Sequence, residues 1–123
     1  MATTATDNRQ ILKDYLQTLS GQPKSEESMS RFIIDEGLKE HIRQVEAAFP
    51  AYEVIPRQII SEGDWLACRM TFRGVHKDDF AGIPASGRPV SSDFMVFYRF
   101  EGQAIAEHHL TLDMQDVIHQ LTV

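Results

Sequence analysis

A chain of 123 residues, 42% hydrophobic and 24% charged, is sized and composed for one soluble globular domain with its own core. Its net charge of -6, with lysines and arginines scattered rather than clustered, argues against a nucleic-acid surface, and no apolar run approaches the roughly 20 residues of a membrane span. The single cysteine, Cys68, excludes an intramolecular disulfide and a cysteine-built zinc site. The first residues lack the basic and apolar regions of a signal peptide, so a cytoplasmic setting is expected.

Helices come first. Ile11, Leu12, Tyr15, Leu16 and Leu19 share one face of a helix predicted from about Asp7 to Ser20, with Gly21 placed to end it. Ser25 can cap a short helix carrying Met29, Phe32 and Ile33. Asp35 can cap a third, whose stripe is Leu38, Ile42, Val45 and Phe49 and which Pro50 stops. His41 falls at the edge of that stripe, where a histidine ordinarily keeps its tip in water.

After Pro50 the periodicity becomes that of strands. Tyr52 to Ile60 reads as a strand, with Pro56 pointing to a sheet edge or a bulge. Ser61 to Asp64 is a turn. From Leu66 the alternation is strict, with Leu66, Cys68, Met70 and Phe72 on one face. Between Val90 and Phe100 both faces are bulky, with Phe94, Val96, Tyr98 and Phe100 opposite Met95 and Phe97, which reads as a central strand covered on both sides. Glu101-Gly102 makes a hairpin turn into a strand from Ala104 to Thr111. A last helix carries Met114, Val117, Ile118 and Leu121. Helices followed by an antiparallel meander indicate an α+β fold with helices packed on one face of a curved sheet.

Two stretches could carry chemistry. Gly74 to Val90 is a strand-loop-strand connection shaped by Gly82, Pro84, Gly87 and Pro89, with His76 at the strand end. The row Glu107, His109, Thr111 and Asp113 alternates with His108, Leu110 and Leu112. It is either the water-facing side of an antiparallel strand or the polar lining of a cavity between sheet and helices.

Taken together, these motifs resemble the SnoaL-like polyketide cyclases of the nuclear transport factor 2-like superfamily. Gly74-Val75-His76 matches that family's glycine-x-histidine, and Gly82-Ile83-Pro84 with Gly87-Arg88 matches its loop. Tyr98-Arg99, Glu107, Asp113 and Gln120-Leu121 follow in the family's order. Departures are His109 where the family usually has tryptophan, Asp78 where it commonly has glycine, and Ala85-Ser86 where it has proline-threonine. The resemblance covers about Ile11 to Leu121 and implies a cone-shaped barrel, a bent antiparallel sheet wrapped around N-terminal helices (the cystatin-like class), often dimeric through the outer sheet face. It implies aldol-type ring closure on a small, largely apolar carbonyl substrate, with no metal, no cofactor and no covalent intermediate.

Carried over, Asp113 becomes the general acid/base and His76 its neighbour. His109, His41, Arg99, Phe97, Met95 and Phe80 are further candidate substrate contacts, chosen by residue type rather than carried over. A base that takes a proton beside a carbonyl needs a carboxylate raised towards neutrality by apolar burial, and the resulting enolate needs a donor. On that reading Asp113→Asn removes most activity. Three rival readings remain: a metal site built from His76, His109, Asp113 and His41, a non-catalytic binding or dimerisation module, and a small isomerase or hydrolase using the same aspartate.

Overall fold

The computed structural model describes residues 4–122; Met1–Thr3, on which the reading of the N-terminus partly rests, and Val123 lie outside the described residues. The elements follow the expected order: α1 (Thr4–Leu19), α2 (Glu26–Ser30), α3 (Glu36–Ala48), β1 (Glu53–Glu62), β2 (Trp65–Val75), β3 (Pro89–Glu101), β4 (Ala104–Leu112) and α4 (Met114–Thr122). α1 buries Leu12, Tyr15, Leu16 and Leu19 along one stripe and gives way to Gly21, whose φ of 71° the chain needs to turn back. Ser25 caps α2 in a reciprocal box with Ser28. Asp35 caps α3, its Oδ1 accepting from the Leu38 N–H at 3.2 Å.

The strands form one antiparallel sheet in the order β1-β2-β3-β4, so β1 and β4 are its edges. Two irregularities bend it. Between Pro56 and Gln58 the pairing of β1 with β2 slips, as a proline in an edge strand suggests. Between Arg99 and Phe100 the pairing of β3 with β4 slips by one residue, with Arg99 opposite Glu107 but Phe100 opposite Ile105. The extra residue, Ala106, reverses which side chains face in: Ile105 is buried before it, and the inward residues after it are His108, Leu110 and Leu112. The concave face, with Leu66, Cys68, Met70, Val96, Tyr98 and Phe100, packs on α1 and α3. α4 closes one end of the cone by burying Val117 and Leu121 beside Val45, Phe49 and Val90.

β3 is central, as expected, but only one of its faces is covered. Met95 and Phe97 are 60% and 52% exposed on the convex side, together with Ile60 at 57%. The doubly covered strand is therefore corrected: bulk on both faces here marks an apolar outer surface.

The loop after β2 is held by His76, which is wholly buried. Its backbone N–H donates to the Arg88 carbonyl at 2.9 Å, and its carbonyl accepts from the Gly87 N–H at 2.8 Å. Phe80 and Ile83 exchange two backbone hydrogen bonds across Ala81 and Gly82, whose φ values of 51° and 80° are those of a tight reversed turn. Where β2 meets this loop, Gly74 passes so close to Phe49 that a Cβ would lie 2.9 Å from the phenylalanine Cβ and 3.1 Å from Phe72 Cζ. Gly74→Ala is therefore expected to destabilise the fold by about 1–3 kcal/mol, read as a lower urea midpoint at unchanged slope.

Candidate active site

Between α1, α3, the concave sheet and α4 lies a cavity of about 90 Å³ that opens at one side. Its wall is overwhelmingly apolar, with Ile42, Phe49, Phe72, Phe94, Leu110 and Leu112 contributing from four elements and the α3–β1 turn. Met114 and His41 are the exposed members of the wall and mark the mouth. Leu38, Tyr15, Tyr52 and Tyr98 are buried and make the floor.

His41 is a titratable side chain in this wall. It is placed there by helical spacing, three residues after Leu38 and four before Val45, both of which line the same cavity. Part of its ring reaches solvent at the mouth while the apolar wall strips water from the rest. That desolvation, and then the charge of nearby His108, lowers its pKa below the ordinary 6.5.

His108 stands behind the mouth on the concave side of β4. Its Nδ1–H donates to Asp35 Oδ2 at 2.6 Å, and the two side chains are only 20% and 17% exposed. Asp35 is brought there by the chain before α3, which adds to the edge of β4: the Ile34 and Asp35 N–H groups both donate to the Ile105 carbonyl, at 2.8 and 3.1 Å. Burial works to raise the Asp35 pKa. The hydrogen bond from His108, the backbone N–H groups of Leu38 and Gly37, and the His108 charge outweigh it and hold the carboxyl below its usual value. An ionised carboxylate can only accept, so it fixes the His108 proton on Nδ1 and leaves Nε2 as the second nitrogen. The sequence reading missed this pair. The partners lie 73 residues apart, and only the inward parity of His108 with Leu110 and Leu112 hinted at it.

The residues expected to form the site are divided among four places. His41 and Phe80 line the cavity. His76 lies behind its wall, stacked against Phe49 with ring centroids 5.5 Å apart. Its Nδ1 accepts from the Ser86 N–H at 3.2 Å and lies 2.9 Å from the Ser86 hydroxyl, so its ring holds the loop. His109, Arg99, Phe97 and Met95 are all on the convex face. There Arg99 pairs with Glu101 and Glu107, Glu107 accepts from His109, and His109 stacks on Trp65 at 6.1 Å. The inversion at Ala106 turned that row outward. The fourth place is that of Asp113, which is exposed and caps α4, its Oδ1 accepting from the Asp116 N–H at 3.0 Å. The apolar burial expected for its carboxylate is absent. Among the described residues no group of three His, Cys, Asp or Glu side chains converges in the manner of a metal site.

The family model for SnoaL-like polyketide cyclases matches residues 13–121. The chain belongs to that family. No curated protein matches it. Among solved structures, a SnoaL-like polyketide cyclase from Agrobacterium tumefaciens superposes with a TM-score of 0.76 at 25% identity, covering 98% of this chain and 99% of that one. TsrD from Streptomyces laurentii gives 0.80 at 23% identity, covering 95% and 96%. A candidate SnoaL-like polyketide cyclase from Jannaschia gives 0.85 at 16% identity, covering 100% and 96%. The SnoaL-like α+β cone is thus the fold, and none of the helices among the described residues is long and apolar enough to cross a membrane.

Within this SnoaL-like cone, the Asp35 carboxylate both caps α3 and receives His108. Its depressed pKa means that it contributes stability above its unfolded value of about 4, which is lost as pH falls through the lower folded value. Asp35→Ala is expected to cost about 2 kcal/mol at pH 7, and Asp35→Asn, which can still cap, roughly half of that. In urea unfolding, the gap between wild type and the Asn variant should narrow at acid pH.

Proposed function

We propose that this SnoaL-like protein binds a small, flat, largely apolar carbonyl compound in the cone cavity and closes a ring on it by aldol-type proton transfer, with His41 as the base. The observation that carries this reading is a partly desolvated imidazole in a largely apolar cavity wall. A lowered pKa keeps His41 unprotonated at neutral pH, ready to accept. His41 takes the proton from the carbon next to a carbonyl. The resulting enolate carbon bonds to a second carbonyl carbon, and the alkoxide so formed takes the proton back, with nothing oxidised or reduced. His108, oriented by Asp35, lies near enough for its charge to act on His41.

Asp113 has a different part in this reading. An exposed carboxylate that accepts from the first turn of α4 fixes the helix that closes the cone and does not hold the substrate's proton. Its exposure also favours the second reading, a cavity that binds the same compounds without turning them over.

The convex face supports a further part of the proposal, self-association. Ile60, Met95 and Phe97 form an exposed apolar strip across β1 and β3, beside Trp65 and Ala67. We propose that it pairs with a second copy of the chain.

The half-reaction common to ring closure and enolisation can be measured without the true substrate. 2-Tetralone is flat, mostly apolar and has exchangeable protons beside its carbonyl, so proton NMR in heavy water follows catalysed exchange. The wild-type protein should accelerate exchange, with the rate falling on the acid side at a midpoint below 6.5, because protonation removes the base. His41→Gln should reduce the rate roughly a hundred- to ten-thousand-fold, and Asp113→Asn, which keeps the cap, by less than about twofold. Saturable binding of 2-tetralone without exchange would establish the binding-only reading. For the convex face, Phe97→Lys should turn a dimer into a monomer by sedimentation velocity while leaving exchange intact; a wild-type monomer would end that proposal.

A further inference from the structure

We propose that the hydroxyls of Tyr15, Tyr52 and Tyr98 form a hydrogen-bond donor site on the cavity floor that receives the carbonyl or enolate oxygen of the bound compound. The inference deepens the reading above, on which it rests: it supplies the polar anchor for a substrate whose carbon skeleton lies against apolar walls.

The three tyrosines come from three different elements or their flanks (α1, the turn before β1, and β3), yet they meet at one place. All three line the cavity, and they are 7%, 7% and 4% exposed. The Tyr15 and Tyr98 rings meet edge to face with centroids 6.5 Å apart. Tyr52 is fixed from the other side, because the Lys24 ammonium sits 3.9 Å over its ring and bonds to its carbonyl at 2.8 Å.

Among the described residues none of the three phenol oxygens has a hydrogen-bond partner. Nor are these oxygens sealed: the fully buried polar side-chain atoms left without a partner are Asn8 Nδ2, Glu46 Oε1 and His76 Nε2. The phenol oxygens are therefore reached from open space; all three residues line this cavity, and Tyr15 and Tyr52 also border a smaller void beside Lys24. A phenylalanine would fill each position with nearly the same ring, so apolar packing alone gives no reason for three hydroxyls.

Their protonation suits a donor. Burial, together with each other's proximity, raises Tyr52 and Tyr98, and burial raises Tyr15, so all three hold their protons. A carbonyl oxygen has two lone pairs and takes two of these bonds, with the third phenol free to donate to a neighbour. Donors fixed in a water-poor cavity strengthen as charge develops on the oxygen, which is what an enolate requires. Mouth and floor then divide the work: His41 faces the carbon that loses its proton, and the phenols face the oxygen that gains charge.

The test compares 2-tetralone with tetralin, which has the same ring skeleton and a methylene in place of the carbonyl, by calorimetric titration and by infrared difference spectra of the bound ketone. In the wild-type protein the carbonyl stretch should move to lower frequency than in water-free hydrocarbon solvent. Two of the three variants Tyr98→Phe, Tyr15→Phe and Tyr52→Phe should move it back and weaken 2-tetralone about three- to tenfold, leaving tetralin affinity unchanged. Circular dichroism and urea midpoints confirm that each variant is folded. If the variants weaken both compounds equally, or neither, or leave the stretch in place, the donor site is refuted while the apolar cavity stands. If neither compound binds, the cavity reading fails and the donor site fails with it. Proton exchange at the mouth is scored separately, so binding with a shifted stretch but no exchange supports the phenols and removes only the catalytic role of His41.

Discussion

Ile105 is the residue at which the cone is closed. Its carbonyl accepts two backbone bonds from Ile34 and Asp35, and its N–H donates to the Phe32 carbonyl at 2.7 Å. These bonds occupy an edge strand that would otherwise present unpaired groups to solvent. The register of β4 then has to change immediately afterwards, because Ile105, Leu110 and Leu112 cannot all point inward on an unbroken two-residue repeat. Ala106 absorbs the difference. Once it does, His108 faces the helices, and the same tether that pinned Ile105 has already delivered Asp35 to meet it. A single edge contact thus fixes the closure of the barrel, the cap of α3 and the orientation of an imidazole.

The cavity that results is apolar over most of its wall, with His41 and three tyrosines among its lining residues. Such an arrangement suits an elongated, flat molecule with one oxygen-bearing end, because apolar burial supplies most of the attraction and a few polar groups supply direction. The low dielectric around the walls magnifies whatever charge those groups meet. In contrast, a carboxylate at the exposed start of a helix sees water and backbone dipoles, and its natural work is to satisfy the first turn. The position of Asp113 in a family pattern and its position in space therefore suggest different chemistry, and spatial position decides what a side chain can touch.

Much of the fold was legible in local signals. Ser25 and Asp35 were read as caps, Pro50 as a stop, Pro56 as an edge or bulge and Glu101-Gly102 as a hairpin, and each proves so. Local chemistry determines these features, so local sequence reveals them. The site was less legible because it depends on parity and on distance. Glu107, His109 and Thr111 make a convincing polar row, but one unpaired residue upstream decides which side that row faces. The clue was present: Ile105 is odd-numbered, whereas Leu110 and Leu112 are even. Met95 and Phe97 misled for a related reason, since a hydrophobic residue declares that it avoids water without saying whether the cover comes from its own chain. The pairing of Asp35 with His108 had no local signature at all, because a contact across 73 residues exists only once the sheet has closed.

The placement of the one tryptophan has a practical consequence. Trp65 lies on the convex face against His109, with the sheet between it and the cavity, and no other indole is present in the chain. Its intrinsic fluorescence is therefore an optical reporter of the outer surface. Emission will respond to anything that covers the strip formed by Ile60, Met95 and Phe97. It will be almost blind to a molecule entering between the helices and the concave sheet. A flat titration curve from tryptophan emission would describe the quiet of the wrong face, and an empty cone and a filled one would look alike through it.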